Sequence, residues 1–461
     1  MATPGENFVL RLLEAVDQPN LVHMNVLDVA VAGVADTVAL VEWAYGIGAS
    51  PRVTLAGFSV LRFDLHGNLM WQLSRELCTF NNLECGQWEI EGHLARTSNG
   101  VIVAGSGTKI DDPARKALLF AMRIDDVGAV LWARTYAPKD PIPEYARIAS
   151  IAPMSVADHF LIAANTFFDD DAWLFEIDGG GKVVNSALMP FLTVRRLRAT
   201  PTQGIFAVGS LSNLPPLNMT HAAILNIDPA RFSMRWQRNY FYGGESFLRG
   251  VRWFDIAEGD HSLLVVGNFV SDVTEVSPMM AFVETDAAGP RVGDVRSAFV
   301  PAKGDHPVRL RGVASFVEEI VPLAGAKRKA RFAVSGDVEQ QPWQFLIDEN
   351  GVIEWQKSYR ISAGATGKLA PIRWPAFQHI LAGGSIATGS RQRGFLTSSP
   401  LTPQPSDLHC STGIAVDFLD QVLYQQQALP ELETLTLEAR DCYHDAGPLL
   451  RVKKGCLDSQ E

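Results

Sequence analysis

A chain of 461 residues exceeds what one ordinary hydrophobic core organises, so several domains or one repeat array is expected. With 47% hydrophobic and 20% charged residues the composition is globular, and there is no run of about 18 apolar residues that would span a membrane as a helix. The net charge of −11 runs against nucleic-acid and anionic-membrane partners, since both require a basic surface.

The opening stretch "MATPGENFVLRLLEAVDQPN" puts Glu6, Glu14 and Asp17 where a secretory signal would be apolar or basic. Five cysteines exclude a disulfide-dense scaffold, and together with the missing signal they favour a cytoplasmic location. Within this stretch "NFVLRLL" (7–13) reads as a strand that belongs to the far end of the chain. Residues 1–20 are expected to help close the last unit of a ring.

From there the chain repeats itself. The first unit has an apolar strand "TVALVEWA" (37–44) and a hairpin "SVLRFDLHGNLMWQLSRE" (59–76) marked by Asp64, Gly67 and Trp71. The second opens on Arg96, continues with "GVIVAGSG" (100–107), and ends in a hairpin marked by Asp125, Gly128, Trp132 and Tyr136. Arg147, "HFLIAANT" (159–166) and Asp178/Gly181 form the third; Arg198, "GIFAVGSL" (204–211) and Asp228/Trp236 the fourth. The fifth has Arg249, "SLLVVGNF" (262–269) and Asp286/Gly289, and the sixth Arg311, "RFAVSGDV" (331–338) and Asp348/Gly351/Trp355/Tyr359. A seventh carries Arg373, "HILAGGSI" (379–386) and a degenerate "RGFLTSSP" (393–400). In each hairpin Asp ties down the turn backbone and Gly supplies the positive φ that closes it. The short apolar runs rich in Val, Ile and Phe and bounded by Gly, Ser and Asn read as buried strands.

Four strands per unit, repeated with almost no helical periodicity, predict an all-β fold. The architecture expected is a β-propeller of seven four-stranded blades over residues 1–400, with the N-terminal strand closing the ring. Residues 401–461 depart from the repeat and are expected to form a β appendage on the last blade. The motif Asp-x-x-Gly-x-x-x-Trp-x-x-x-Tyr, best kept at 125–136 and 348–359, resembles bacterial β-propeller repeat proteins of generally unassigned function. That resemblance implies the fold and no activity. A similar rhythm occurs in quinoprotein dehydrogenases, but Asp lies one residue closer to Gly here, so the tryptophans are read as blade-to-blade packing.

No chemistry-bearing motif surfaces. The ten histidines are scattered without a His-Glu-x-x-His helix, and neither a Gly-x-Ser-x-Gly elbow nor a phosphate-cradling Gly-Lys-Ser loop occurs. Asp169, Asp170 and Asp171 lack the alternating spacing of a calcium loop, and Lys327, Arg328 and Lys329 read as an exposed loop tip. In the tail, Cys410, Cys442, His444 and Cys456 have the chemistry of a Cys3His zinc site in an unfamiliar spacing. A Cys442–Cys456 disulfide or free thiols are the alternatives.

The arginines are the remaining candidates. Arg96, Arg147, Arg198 and Arg249 are spaced 51 residues apart, and Arg311 and Arg373 follow at steps of 62. Placed near the innermost strands on the face away from the Asp turns, they would ring the central channel and attract an anionic ligand or an acidic partner protein. The competing reading is that each arginine pairs with a neighbouring blade and staples the ring, because a buried charge must be compensated. The function expected is a non-catalytic propeller, monomeric or part of a larger assembly, without cofactor, nucleic acid or membrane insertion. Alternatives are an enzyme at the channel mouth, acting on a saccharide or quinoprotein-like, and a scaffold within a particle.

Overall fold

The computed structural model describes residues 9–15, 21–32, 36–46, 54–64, 67–76, 88–109, 117–138, 146–166, 171–190, 192–200, 204–214, 219–244, 247–249, 251–259, 262–271, 275–285, 292–302, 307–318, 329–339, 341–359, 364–374, 377–388, 391–400, 411–413, 417–421, 423–427, 433–434, 437–441 and 450–454. The described residues are strands and turns throughout, and among them no helix is long and apolar enough to cross a membrane.

Six blades are each built from four consecutive antiparallel strands, spanning residues 21–76, 88–138, 146–189, 192–244, 251–302 and 308–359. A further sheet stands between blades 6 and 1. It has three consecutive strands, Gly364–Trp374, Phe377–Thr388 and Arg391–Pro400, and takes its fourth, Val9–Ala15, from the start of the chain. The count of contiguous four-stranded blades is therefore six, not seven. The chain enters the ring part-way through a sheet, so its last strands must find an edge partner from the other terminus. The innermost strand of blade 1, Leu21–Ala32, packs against both blade 2 and this closing sheet, which completes the circle.

Blade 2 shows why the second and third strands read as continuous apolar runs. Its strands are Trp88–Thr97, Gly100–Lys109, Ala117–Asp125 and Val130–Pro138. Val101 and Val103 point into a core shared with blade 1, while Ile102 and Ala104 point into one shared with blade 3. A sheet covered on both faces needs apolar residues at every position, so the period-2 alternation disappears.

The repeated hairpin has a mechanical role. In blade 2, Asp125 Oδ1 accepts from the N–H groups of Val127 and Ala129, and Gly128 closes the turn at φ 90°. Just after the turn the outer strand carries a β-bulge, which re-aims its aromatic residue at the next blade. Trp71 donates its indole N–H to Asp126 O at 3.1 Å, and Trp132 donates to Gly179 O at 2.8 Å. The Tyr136 hydroxyl donates to Gly181 O, and that of Tyr240 to Gly293 O. The turns of blades 2, 3 and 5 are thus the seats for the preceding blade's aromatic. Gly128 lies against the Trp71 ring and Gly181 against Trp132, at distances a Cβ would foreclose. In blade 5 Glu284 pairs across the base of the turn with Gly293 and Asp294, and the expected Asp286/Gly289 lie outside the described residues.

The described strands of residues 401–461 are not gathered on the last blade. Their strands run backwards round the ring as a belt, each adding to an outer strand: Ser411–Gly413 on blade 6, Asp417–Gln421 on blade 5, Leu423–Gln427 on blade 4, Glu433–Thr434 on blade 3 and Leu437–Asp441 on blade 2. Leu450–Lys454 then pairs with Val9–Ala15. The outermost strand of a blade has unpaired N–H and C=O groups, and a tail that supplies partners blade after blade satisfies them.

One buried group ties stability to pH. His221, at the start of the third strand of blade 4 (Met219–Asp228), is buried, and desolvation pushes its imidazole below the ordinary range. The unfolded chain takes up this proton near pH 6.5 while the folded chain does not, so the contribution is full above that pH and lost as the pH falls. Urea midpoints between pH 7 and 5 should show wild type losing up to about 1.4 kcal/mol per pH unit more than His221→Gln. Parallel curves would refute the assignment.

Candidate functional site

The innermost strand of each sheet is its free edge, and its unpaired N–H groups border the central channel and need acceptors. These strands carry a one-residue register shift in blades 3, 4, 5 and 6 and in the closing sheet and two in blade 1, while blade 2 runs straight. Two aspartates that directly follow a bulge supply the acceptors. Asp28 accepts from Val29 N and from Leu94 N of blade 2, both at 3.0 Å. Asp255 accepts from Ile256 N at 2.9 Å and from Val313 N of blade 6 at 3.1 Å. The polar ends of the second strands act similarly: Ser106 accepts from Ile148 N of blade 3, and Asn165 brackets Val194 of blade 4 through both its amide atoms.

Arg196 of blade 4 reaches between the two aspartates. Its Nη1 lies 3.3 Å from Asp28 Oδ2 and its Nε 3.6 Å from Asp255 Oδ1. His93 of blade 2 stands 3.2 Å from the same guanidinium and 3.7 Å from Asp28. Arg198 pairs with Asp255 at 3.2 Å and donates to the carbonyls of Ile256 and Val313. Two carboxylates and two guanidiniums so neutralise one another across the middle of the channel. Burial works against the Arg196 cation, but Asp28 and Asp255 outweigh it and hold its pKa above the ordinary value. Blades 1, 2, 4, 5 and 6 are joined through this one cluster.

The periodic arginines do not share one face. Arg147 and Arg311 lie near the beginnings of the inner strands Ala146–Pro153 and Val308–Glu318, on the side away from the Asp turns. Arg96, Arg198 and Arg373 lie near the ends of Trp88–Thr97, Leu192–Thr200 and Gly364–Trp374, towards the Asp turns. Arg249 is on no inner strand: it ends the short strand Phe247–Arg249, which pairs with the outer strand of blade 4. The bulges at Ala149, Arg195, Phe254, Arg311 and Gly367 recur at steps of 46, 59, 57 and 56 residues, so the constant 51 is not the structural period. Arg147 is 3.5 Å from Glu91 of blade 2, and Arg311 Nε is 3.0 Å from Asp337 of its own blade. Arg96 is exposed.

Among the described residues no group of three His, Cys, Asp or Glu is placed to hold a metal. Cys410, Cys442, His444 and Cys456 lie outside the described residues, as do Asp169, Asp170, Lys327 and Arg328. Sequence reasoning missed Asp28, His93, Arg196 and Asp255. The signal was present as "LDVA" (27–30) and "FDIA" (254–257), a carboxylate inside an apolar strand in two different blades.

Fold and site together define the chain as an all-β propeller with an internally neutralised channel. No protein-family model and no curated protein sequence matches it. Of the solved structures, 31 chains match. One is a crystal structure of an ACO/RPE65 chimera, 11% identical, over 91% of this chain and 96% of that one, with a TM-score of 0.34.

Proposed function

We propose that this protein is a non-catalytic propeller whose closing sheet counts as a seventh blade, and that it binds a partner protein or a small anionic ligand at the channel mouth away from the Asp turns. The observation that carries the non-catalytic reading is the state of the channel carboxylates. Asp28 and Asp255 each accept from two main-chain N–H groups and face Arg196, so neither has an oxygen to spare for acid–base work. Binding at the mouth rests on Arg147 and Arg311, whose side chains keep 24% and 41% of their surface in solvent.

Titration with citrate, with pyrophosphate and with a polyglutamate peptide at low salt tests this reading. Binding should weaken about tenfold or more in Arg147→Ala/Arg311→Ala, since two charge-assisted hydrogen bonds are lost. The unfolding temperature of the double variant should stay within a few degrees of wild type. Absent binding to all three probes, or equal binding by the double variant, refutes it.

A further inference from the structure

Among the described residues seven large apolar side chains are exposed, and all stand on the face that carries the Asp turns. Six belong to blades 1–3: Leu69, Met70, Val127, Leu131, Val156 and Val184; the seventh, Val352, is on blade 6. Single exposed apolar residues are ordinary, so the question is whether these are related.

They are related by the bulge that follows each Asp turn. It extrudes one residue per blade, in order Met70, Leu131, Val184, Arg235, Arg296 and Glu354. On blades 4–6 the extruded residue is charged and engaged: Arg235 with Asp228 of its own blade, Arg296 with Glu349 O of blade 6, Glu354 with Arg331 of its own blade. On blades 1–3 it is aliphatic, with 53%, 50% and 47% of the surface of Met70, Leu131 and Val184 in solvent. The described strands of the belt leave these positions open. On blades 2 and 3 they pair with Arg134–Pro138 and with Ala187–Leu188, beyond the bulges.

Carboxylates stand between the apolar positions. Asp126 and Asp158 reach solvent, while their partners Arg62 and Arg123 are buried beneath them. Burial works against the charge on Asp158, but Arg123 and the Ser98 donors outweigh it and hold the carboxyl below its ordinary range. The arc therefore presents aliphatic groups together with the carboxylates of Asp126 and Asp158.

We propose that the bulge arc of blades 1–3 is a docking surface for a partner protein segment that alternates aliphatic with lysine or arginine side chains. Charge selects this occupant. A second copy related by a two-fold axis would set Asp126 and Asp158 of one molecule against those of the other, on chains that each carry −11. An anionic membrane would meet the same carboxylates. This surface lies on the opposite face from the arginine-bearing mouth, and the two readings stand or fall separately.

A random 16-residue peptide library, selected on the full chain and counter-selected on Met70→Ser/Leu131→Ser/Val184→Ser, tests it. The expected result is enrichment of Leu, Ile or Val interleaved with Lys or Arg. Selected peptides should bind the triple variant at least tenfold more weakly, lose affinity as salt rises, and bind Arg231→Ser on blade 4 like wild type. All three substituted side chains are exposed, so the variant should unfold at the wild-type temperature. No enrichment over an unrelated protein, an acidic consensus, or equal binding by the triple variant overturns the proposal. So does sedimentation with phosphatidylserine vesicles that the triple variant abolishes, which would make the arc a membrane contact.

Discussion

Arg196→Met should lower the free energy of unfolding by about 3–5 kcal/mol, read as a fall in the urea midpoint at unchanged slope. The reason is the asymmetry of buried ion pairs: removing one partner leaves the other charged and desolvated. Arg196 is the guanidinium that Asp28 and Asp255 share, and both carboxylates are buried. Arg198 would remain, paired with Asp255 and acting on Asp28 only from a greater distance, and the His93 imidazole would still stand beside Asp28. Adding Asp28→Asn to Arg196→Met should recover part of the loss, because the charge to be compensated is then gone; the recovery is partial because Val29 N and Leu94 N donate to different oxygens of Asp28 and the single amide oxygen of Asn can serve only one of those two sites. A loss below about 1 kcal/mol, or no recovery in the double variant, would show that the cluster is not what joins the blades across the channel.

Gly181→Val should destabilise by about 2–5 kcal/mol through two additive costs. Gly181 sits at φ 77°, where a β-branched residue is strained, and a Cβ there would stand 2.8 Å from the Trp132 ring and 2.9 Å from Arg134 Cδ. The steric part depends on the tryptophan, so it should shrink when Trp132→Ala is combined with Gly181→Val, while the backbone part persists. A coupling of at least about 1 kcal/mol in the double-mutant cycle is the expected reading. Strict additivity would mean that the turn and the aromatic of the preceding blade do not form one joint.

Much of the architecture was legible before any coordinates. The hairpin could be recognised because its parts are local: Asp125, Gly128 and Trp132 fall within eight residues, and each serves a turn or a bulge whose geometry depends on nearest neighbours. The buried strands could be recognised because a sheet covered on both faces writes itself as an unbroken apolar run. The arginine set misled for the same reason in reverse. Its even spacing of 51 residues is a property of the chain, whereas equivalent places in the ring recur at steps of 46 to 59 because the loops differ in length. Arg249 consequently falls on a short strand paired with an outer strand, and Arg147 and Arg198 near opposite ends of theirs.

What the amino-acid order determined by itself is the unit: four strands, a turn closed by Asp and Gly, and an aromatic set to lean on a neighbour. It determined this because those interactions span a few residues and are repeated. What only the tertiary structure decided is every relation between units. Asp28 and Arg196 are 168 residues apart and meet because the ring brings blades 1 and 4 together. The tail becomes a belt because outer strands with unpaired backbone groups lie along its path. Neither contact leaves a period or a motif in the chain, since each is made once, between segments whose separation is set by ring closure and not by local conformational preference.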